Sequence, residues 1–381
     1  MKTSISIAEG SLDFRVHTAN LPDAAGPWRA MWSARVGVKP GQSRLLDIEG
    51  GPALTNAPTG IIALGDAPPG DERLLAGLRV AARPGLEGGA LLFDDAGRLY
   101  RWSPGKEPRQ VWETGTPPDK LEAVALKDEL LLVQRPITHA GSGGTLAVPG
   151  SKEEPLLTRG LPPGAELWTT ELVEPGVGVR WARDGDLRGM LPWNDTLLVI
   201  FAGRHAVGRL RVADGSTIWE RAIGARVAAL IAVVANRLWL RTYDGELIAL
   251  DTETGVVETR VRVPLAAVPD GVVDEAGQLH LCTGASYTIL DLAEGGATIA
   301  SSLLPSGDEG PSLVFGSAAI PTSDGRLIFF DRNGRIFASR AGDSRNLTLL
   351  WDPPSPLLDC RAARGTLFIL DGEGLLSALR P

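Results

Sequence analysis

Short apolar runs separated by polar turns dominate the chain, and residues 237–262, RLWLRTYDGELIALDTETGVVETRVR, show the unit most plainly. Leu238-Trp239-Leu240 leads to the Asp244-Gly245 turn, and Leu247-Ile248-Ala249-Leu250 leads to Asp251-Thr252-Glu253-Thr254-Gly255. A third run follows over 256–263. Asp-Gly between apolar runs is a hairpin signal, because a type I′ turn needs positive φ at both central residues. The pattern predicts a β-meander. The nearly unbroken apolar run at 227–234 predicts a strand before it, buried between neighbouring sheets, and 256–263 the strand that ends the unit.

Comparable hairpins begin near residues 90, 130, 197, 279, 327 and 367. A spacing close to 40 residues with about four strands per unit is the repeat of a β-propeller blade. Strand-length runs and dense turns exclude helical repeats of that period; Gly 46 and Pro 28 supply the turns. One interval, 130 to 197, is too long. Its extra runs, 167–173 and 177–181, are expected to form a hairpin insertion over 164–186 that projects from one face, or else a further blade. The chain stops after the third run of its last unit, so the strand-like segments within residues 4–16 are expected to complete that sheet and close the ring. Residues 20–85 then hold one more blade. The expected fold is all-β: residues 1–381 as a single propeller of eight four-stranded blades, with seven as the alternative, its ring closed by an N-terminal strand.

Composition narrows the partners. Net charge is −8, which repels phosphate backbones and argues against nucleic acid. Lysine occurs only at positions 2, 39, 106, 120, 127 and 152, and the arginine excess reads as codon usage. Cys282 and Cys360 suit buried thiols of a reducing compartment better than a disulfide framework. No run reaches the roughly 18 apolar residues of a membrane helix, and the N-terminus lacks the apolar core of a signal peptide. A cytoplasmic protein without membrane contact, monomeric on its own, is expected.

Residues 249–255, Ala-Leu-Asp-Thr-Glu-Thr-Gly, resemble the A-x-D-x-x-T-G repeat of quinoprotein (PQQ)-like propellers, a family that includes PQQ alcohol dehydrogenases and cofactor-free relatives, with WD40-like architecture. In those repeats a Trp four residues after the Gly docks between blades. Trp219 stands there after Gly215, whereas Thr259 and Ala300 follow Gly255 and Gly296. The resemblance covers residues 90–381 as architecture and two blades as motif, and it implies a fold more than an activity. A quinone enzyme of the family would carry an axial Asp base, a metal and adjacent cysteines. Cys282 and Cys360 are not adjacent and no such cluster can be matched, so a cofactor-free relative is expected, with no cofactor and no catalytic or metal residues.

His17, His139, His205 and His280 stand singly, without metal-ligand spacing, and His280 reads as a hydrogen-bonded or solvent-facing strand histidine. Asp94-Asp95, Asp331-Arg332-Asn333-Gly334 and Asp371-Gly372-Glu373-Gly374 read as turns rather than calcium loops. The Ser-Gly-Gly tract at 142–144 lacks the rest of a phosphate loop. The ten tryptophans read as packing between blades. The expected function is a non-enzymatic scaffold for a partner protein: a sensor, regulatory or adaptor subunit of a bacterial signalling or defence complex. Its alternatives are an enzyme working on the propeller axis (a quinone-dependent dehydrogenase, lyase or hydrolase) and a small-ligand or glycan lectin. The expected partner site lies where the period breaks, at 134–145 and on the 164–186 insertion, with Trp168, Leu172, Val173, Arg180, Trp181 and Arg183 as its apolar core and charged rim.

Overall fold

The computed structural model describes residues 27–380 apart from 37–43, 70–80, 85–89, 117–121, 139–144, 147–155, 158–165, 264–271, 304–319, 322–325, 331–334, 341–346 and shorter breaks in other connections. The described residues are all-β, and no helix is long and apolar enough to cross a membrane. Eight antiparallel sheets follow one another along the chain. Sheet 1 holds Arg44–Ile48, Gly51–Ala57 and Gly60–Ala63. The others are four-stranded. Sheet 2 holds Ala81–Pro84, Ala90–Phe93, Arg98–Trp102 and Arg109–Glu113; sheet 3 holds Glu122–Ala125, Leu131–Thr138, Glu166–Glu174 and Gly178–Asp184. Sheet 4 holds Leu187–Trp193, Thr196–Phe201, Ala206–Arg211 and Thr217–Ala222; sheet 5 holds Val227–Val234, Arg237–Thr242, Glu246–Asp251 and Val257–Arg262. Sheet 6 holds Val272–Val273, Gln278–Thr283, Ser286–Asp291 and Ala297–Leu303; sheet 7 holds Ile320–Pro321, Arg326–Phe330, Ile336–Arg340 and Thr348–Trp351. Sheet 8 holds Leu357–Ala363, Thr366–Asp371 and Leu375–Arg380, and takes Arg29–Arg35 as its fourth strand.

Each core lies between two sheets. Leu91 and Leu99 of sheet 2 pack with Leu131 and Val173 of sheet 3, and Leu132 and Leu172 pack with Leu197 and Leu210 of sheet 4. Leu238 and Leu250 of sheet 5 meet Leu198 and Val207 of sheet 4 from one face, while Trp239 and Leu247 meet Leu279 and Leu290 of sheet 6 from the other. Strands buried on both faces read as continuous apolar runs, which is why 238–240 and 247–250 carry no alternation. The two ends of the chain also meet. Leu45 and Leu54 of sheet 1 pack on Trp32, Phe368 and Leu376 of sheet 8, and the Leu45 amide donates to Asp359 Oδ2 at 2.7 Å.

Three expectations need correction. The strand completing sheet 8 is Arg29–Arg35, paired with Leu375–Arg380; residues 4–16 lie outside the described residues. It is held by Trp32 in the seam to sheet 1 and by Trp28 in the seam to sheet 7. Residues 166–184 are no projecting hairpin. Leu131–Thr138 pairs along its length with Glu166–Glu174, which pairs in turn with Gly178–Asp184, so both are ordinary third and fourth strands. The insertion is instead the connection 139–165, which carries a separate ribbon, Thr145–Leu146 against Leu156–Leu157.

The second-to-third turns are not type I′ either. Gly245 has φ of +81°, Asp244 is not in the left-handed region, and the Gly245 amide donates to the Thr242 carbonyl. Asp94 with Gly97 and Asp371 with Gly374 repeat this arrangement. In all three turns the first residue is buried, and its side-chain oxygen accepts from backbone amides: Ala96 and Arg98 for Asp94, Glu246 for Thr242, Glu373 and Leu375 for Asp371. The glycine at the fourth position, not an Asp-Gly pair at the centre, reverses the chain.

Candidate interaction surface

A propeller can offer a partner only what its seams leave free, so the seams come first. In all seven four-stranded sheets the pairing of third and fourth strands skips one residue of the fourth: Val111, Arg180, Ile218, Glu258, Ile299, Leu350 and Met31 in sheets 2 to 8. Such a bulge turns the edge strand and re-aims the side chains beside it. The next residue is Trp112, Trp181, Trp219, Thr259, Ala300, Trp351 or Trp32, which puts five of the ten tryptophans at one structural position. Trp181 Nε1 donates to the Val212 carbonyl at 2.8 Å and Trp219 Nε1 to the Thr252 carbonyl at 2.9 Å, each across the seam to the following sheet. Trp32 Nε1 does the same to Gly65, at 3.1 Å, between sheets 8 and 1.

The turn that receives the indole is built for it. Asp251 Oδ1 accepts from the Thr254 amide and hydroxyl at 2.7 and 2.6 Å, and the Gly255 amide donates to the Asp251 carbonyl. Gly255 has φ of +68°, and a Cβ there would lie 2.5 Å from the Trp219 ring; at Gly215 it would lie 2.7 Å from Trp181. Arginine adds a second set of seam contacts. Arg101, Arg183, Arg209 and Arg237 donate across seams to the carbonyls of Leu126, Gly215, Thr252 and Ala293. Arg209 is itself buried and also reaches Thr196 Oγ1 and Glu253. A planar fork with five donors suits such bridging better than an ammonium, which gives the arginine excess a structural use.

Of the five apolar residues skipped at the bulge, Val111 and Leu350 are buried and three are exposed. Met31, Ile218 and Ile299, the skipped residues of sheets 8, 4 and 6, are 41%, 37% and 49% exposed. Leu349 on the fourth strand of sheet 7, and Val256 and Val177 in turns leading to fourth strands, are exposed as well. Six of the seven large hydrophobic side chains exposed among the described residues therefore lie on or beside a sheet edge; the seventh is Tyr243.

Residues 159–346 match the family model described as outer membrane protein assembly factor BamB. The fold is similar to that of BamB from Moraxella catarrhalis: TM-score 0.57, 12% identity, over 93% of this chain and 100% of that one. It is equally similar to the C-terminal WD40 domain of Sif2: TM-score 0.57, 11% identity, over 93% and 99% of the two chains. The chain has a β-propeller fold, similar to those of PQQ-like and WD40-like repeat proteins. The computationally designed Ika8 protein is similar too, with a TM-score of 0.52 and 11% identity over 91% and 100% of the chains. No protein of curated function matches the sequence.

Within this propeller the expected site residues fall mostly into seams. Leu172, Val173 and Trp181 are buried, and Trp181 is the seam tryptophan of sheet 3. They pack on the protein itself because 166–184 completes a sheet. Trp168 is half-buried opposite Pro136. Arg183 lies 5.2 Å from the centre of the Phe201 ring. Arg180 remains outside as a bulge residue, with Glu174 at 2.6 Å. The expected Gly-Ser-Gly-Gly tract lies outside the described residues, as do His17, His139 and the turn at 331–334.

The remaining candidates are structural. Burial works to raise the Asp94 carboxyl, but hydrogen bonds from the Arg98 amide and side chain, the Tyr100 hydroxyl and the Ala96 amide outweigh it and hold it below the usual carboxylate range. The Thr254 hydroxyl and amide lower Asp251, and the Ser216 hydroxyl and amide lower Asp214. These carboxylates spend their lone pairs on turns. His280 is buried in sheet 6 and His205 is exposed with φ of +50°. Cys360 is buried in sheet 8, two sheets along from the backbone of Cys282 in sheet 6.

Proposed function

We propose that this propeller is a non-catalytic scaffold that holds a partner protein against its sheet edges, as a regulatory or adaptor subunit. The observation that carries this reading is that three of the seven bulge positions, in sheets 8, 4 and 6, expose an apolar side chain: Met31, Ile218 and Ile299. Solvent-facing apolar side chains repeated around a rigid body are what a protein interface uses at its centre. The bulge also spoils the edge for another strand, which favours contact by side chains. Eight successive sheets, with sheet 8 packed on sheet 1, support a closed ring of eight blades as the supporting body. The test is the pair Ile218→Asp and Ile299→Asp in one chain. It should fold with an unchanged melting temperature and lose the proteins that the wild-type chain captures from its host; unchanged capture would reject the edge.

A second setting is favoured by the family match, whose description is of an outer membrane protein assembly factor. On that reading the same scaffold serves an assembly machine of the bacterial envelope. Fractionation of the host followed by crosslinking separates the two: partners recovered from the envelope fraction favour assembly, and partners from the cytosol favour the adaptor.

A further inference from the structure

The exposed aromatic that does not belong to the sheet edges is Tyr243, 47% exposed in the second-to-third turn of sheet 5. The Arg226 guanidinium lies over its ring, 4.7 Å from the centroid. Arg226 immediately precedes the first strand of sheet 5, so both residues stand at the same end of the sheet, and the Tyr243 amide donates to the Arg226 carbonyl at 2.9 Å. The turn beneath is fixed by Gly245 at positive φ and by buried Thr242, whose hydroxyl accepts from the Glu246 amide at 3.0 Å. The backbone beneath both side chains is thereby fixed.

The described arginines divide into those with an ion pair and those without. Arg98, Arg135, Arg180, Arg209, Arg237, Arg260 and Arg380 each have a carboxylate within ion-pair distance. Arg226 has none among the described residues, and neither does Arg262, which lies opposite Glu246 at the same end of the sheet. The other charges there are Arg260, which holds Glu246 at 3.0 Å, and Asp244 beside Tyr243. A guanidinium stacked on a ring keeps its in-plane N–H groups free, and stacking fixes their direction before any ligand arrives. Two parallel N–H donors match the two oxygens of a carboxylate.

We propose that Arg226, stacked on Tyr243 and flanked by Arg262, is a binding site for the carboxylate of an Asp- or Glu-bearing peptide segment. This rests on the reading that the propeller binds a partner protein, and it assigns that partner an acidic contact at the sheet end, distinct from the apolar contacts of the sheet edges. The rigid pair lowers the ordering cost of binding. The exposed remainder of the Tyr243 ring accepts an apolar neighbour of the acidic residue.

The test uses the full chain and fluorescein-labelled peptides of Gly, Ser and Leu carrying either Glu or Gln, each as C-terminal acid and C-terminal amide, read by fluorescence anisotropy at low salt. Glu peptides should bind about tenfold tighter than Gln peptides, as expected for hydrogen bonds to a charged group. Arg226→Gln should remove that preference. Arg226→Lys should restore only part of it, because an ammonium does not make the paired contact. Arg29→Gln, on the distant edge of sheet 8, should change nothing. A C-terminal acid that replaces the Glu would identify the chain terminus as the source of the carboxylate; equal binding of acid and amide forms would identify the side chain. Equal affinity for the Glu and Gln amides, no binding to any of the peptides, or an Arg226→Gln variant that keeps the preference overturns the site. The Ile218→Asp, Ile299→Asp chain should still bind the Glu peptides, so loss of partner capture in that variant bears on the edges alone.

Discussion

At the scale of residues, the seam between sheets 4 and 5 makes two quantitative demands. Trp219 gives its indole N–H to the Thr252 carbonyl, which also receives Arg209. Trp219→Phe therefore leaves that carbonyl with a donor and should cost about 1 kcal/mol in urea denaturation, whereas Trp219→Ala opens a cavity and should cost about 3–5 kcal/mol. Gly255 answers to both its positive φ and the ring above it. Gly255→Ala should cost more than the roughly 1–2 kcal/mol of a left-handed alanine, and in a Trp219→Ala background only that backbone part should remain. Equal costs in the two backgrounds would show that the ring does not press on the turn. Asp251 makes a pH-dependent contribution. Its folded pKa is depressed by the Thr254 hydroxyl first and the Thr254 amide second, so the unfolded chain binds the proton more readily. The stabilisation is present above the unfolded value, near pH 4, and is lost as pH falls through the lower folded value. The melting temperature of the wild type should fall more steeply below about pH 4 than that of Asp251→Asn.

At the scale of elements, the sequence displayed each strand whose two faces are buried, because double burial leaves an uninterrupted apolar run such as 247–250. It displayed the Asp, Thr and Gly of the turns as well, but not their geometry, since a buried side-chain acceptor at the first position looks like any turn residue. The bulge was illegible: a skipped residue alters no composition, and only the register shows that Arg180 and Ile218 are equivalent. That hid Trp181 as a seam residue, because the spacing from its preceding glycines differs from that of Trp219 after Gly215. The long interval was likewise misassigned: Leu131–Thr138 meets its partner strand only after the 139–165 connection, and nothing local marks a partner so far along the chain. The assignment is checked by excision. Replacing 142–161 with a Gly-Ser linker removes the ribbon and no sheet strand, so the melting temperature should barely move, as loop length costs little. Replacing 165–183 removes two strands of sheet 3 and should prevent folding. The reverse outcome would restore the projecting hairpin.

At the scale of the whole molecule, sheet 8 joins the ends of the chain. Ser33 and Ser377 share a hydrogen bond of 2.8 Å across 344 residues of sequence, and Trp28 and Trp32 fill the seams on either side. Removing residues 1–36 should leave Leu375–Arg380 as a bare edge, lower the melting temperature by many degrees and promote association, read by size-exclusion chromatography. A monomer of unchanged stability would contradict the pairing. The same arrangement imposes a delay on biosynthesis. Arg35 is translated 340 residues before its partner Leu375 (375 − 35), which at about 5–20 residues per second is roughly 17–70 s. For that time the strand Arg29–Arg35, with Met31 and Trp32, has nothing to pair with, and sheet 8 stays incomplete until Leu375–Arg380 has emerged from the ribosome. Each nascent chain thus carries an unpaired, sticky strand while the seven intervening sheets are made, which makes this segment the natural point of attention for a holding chaperone.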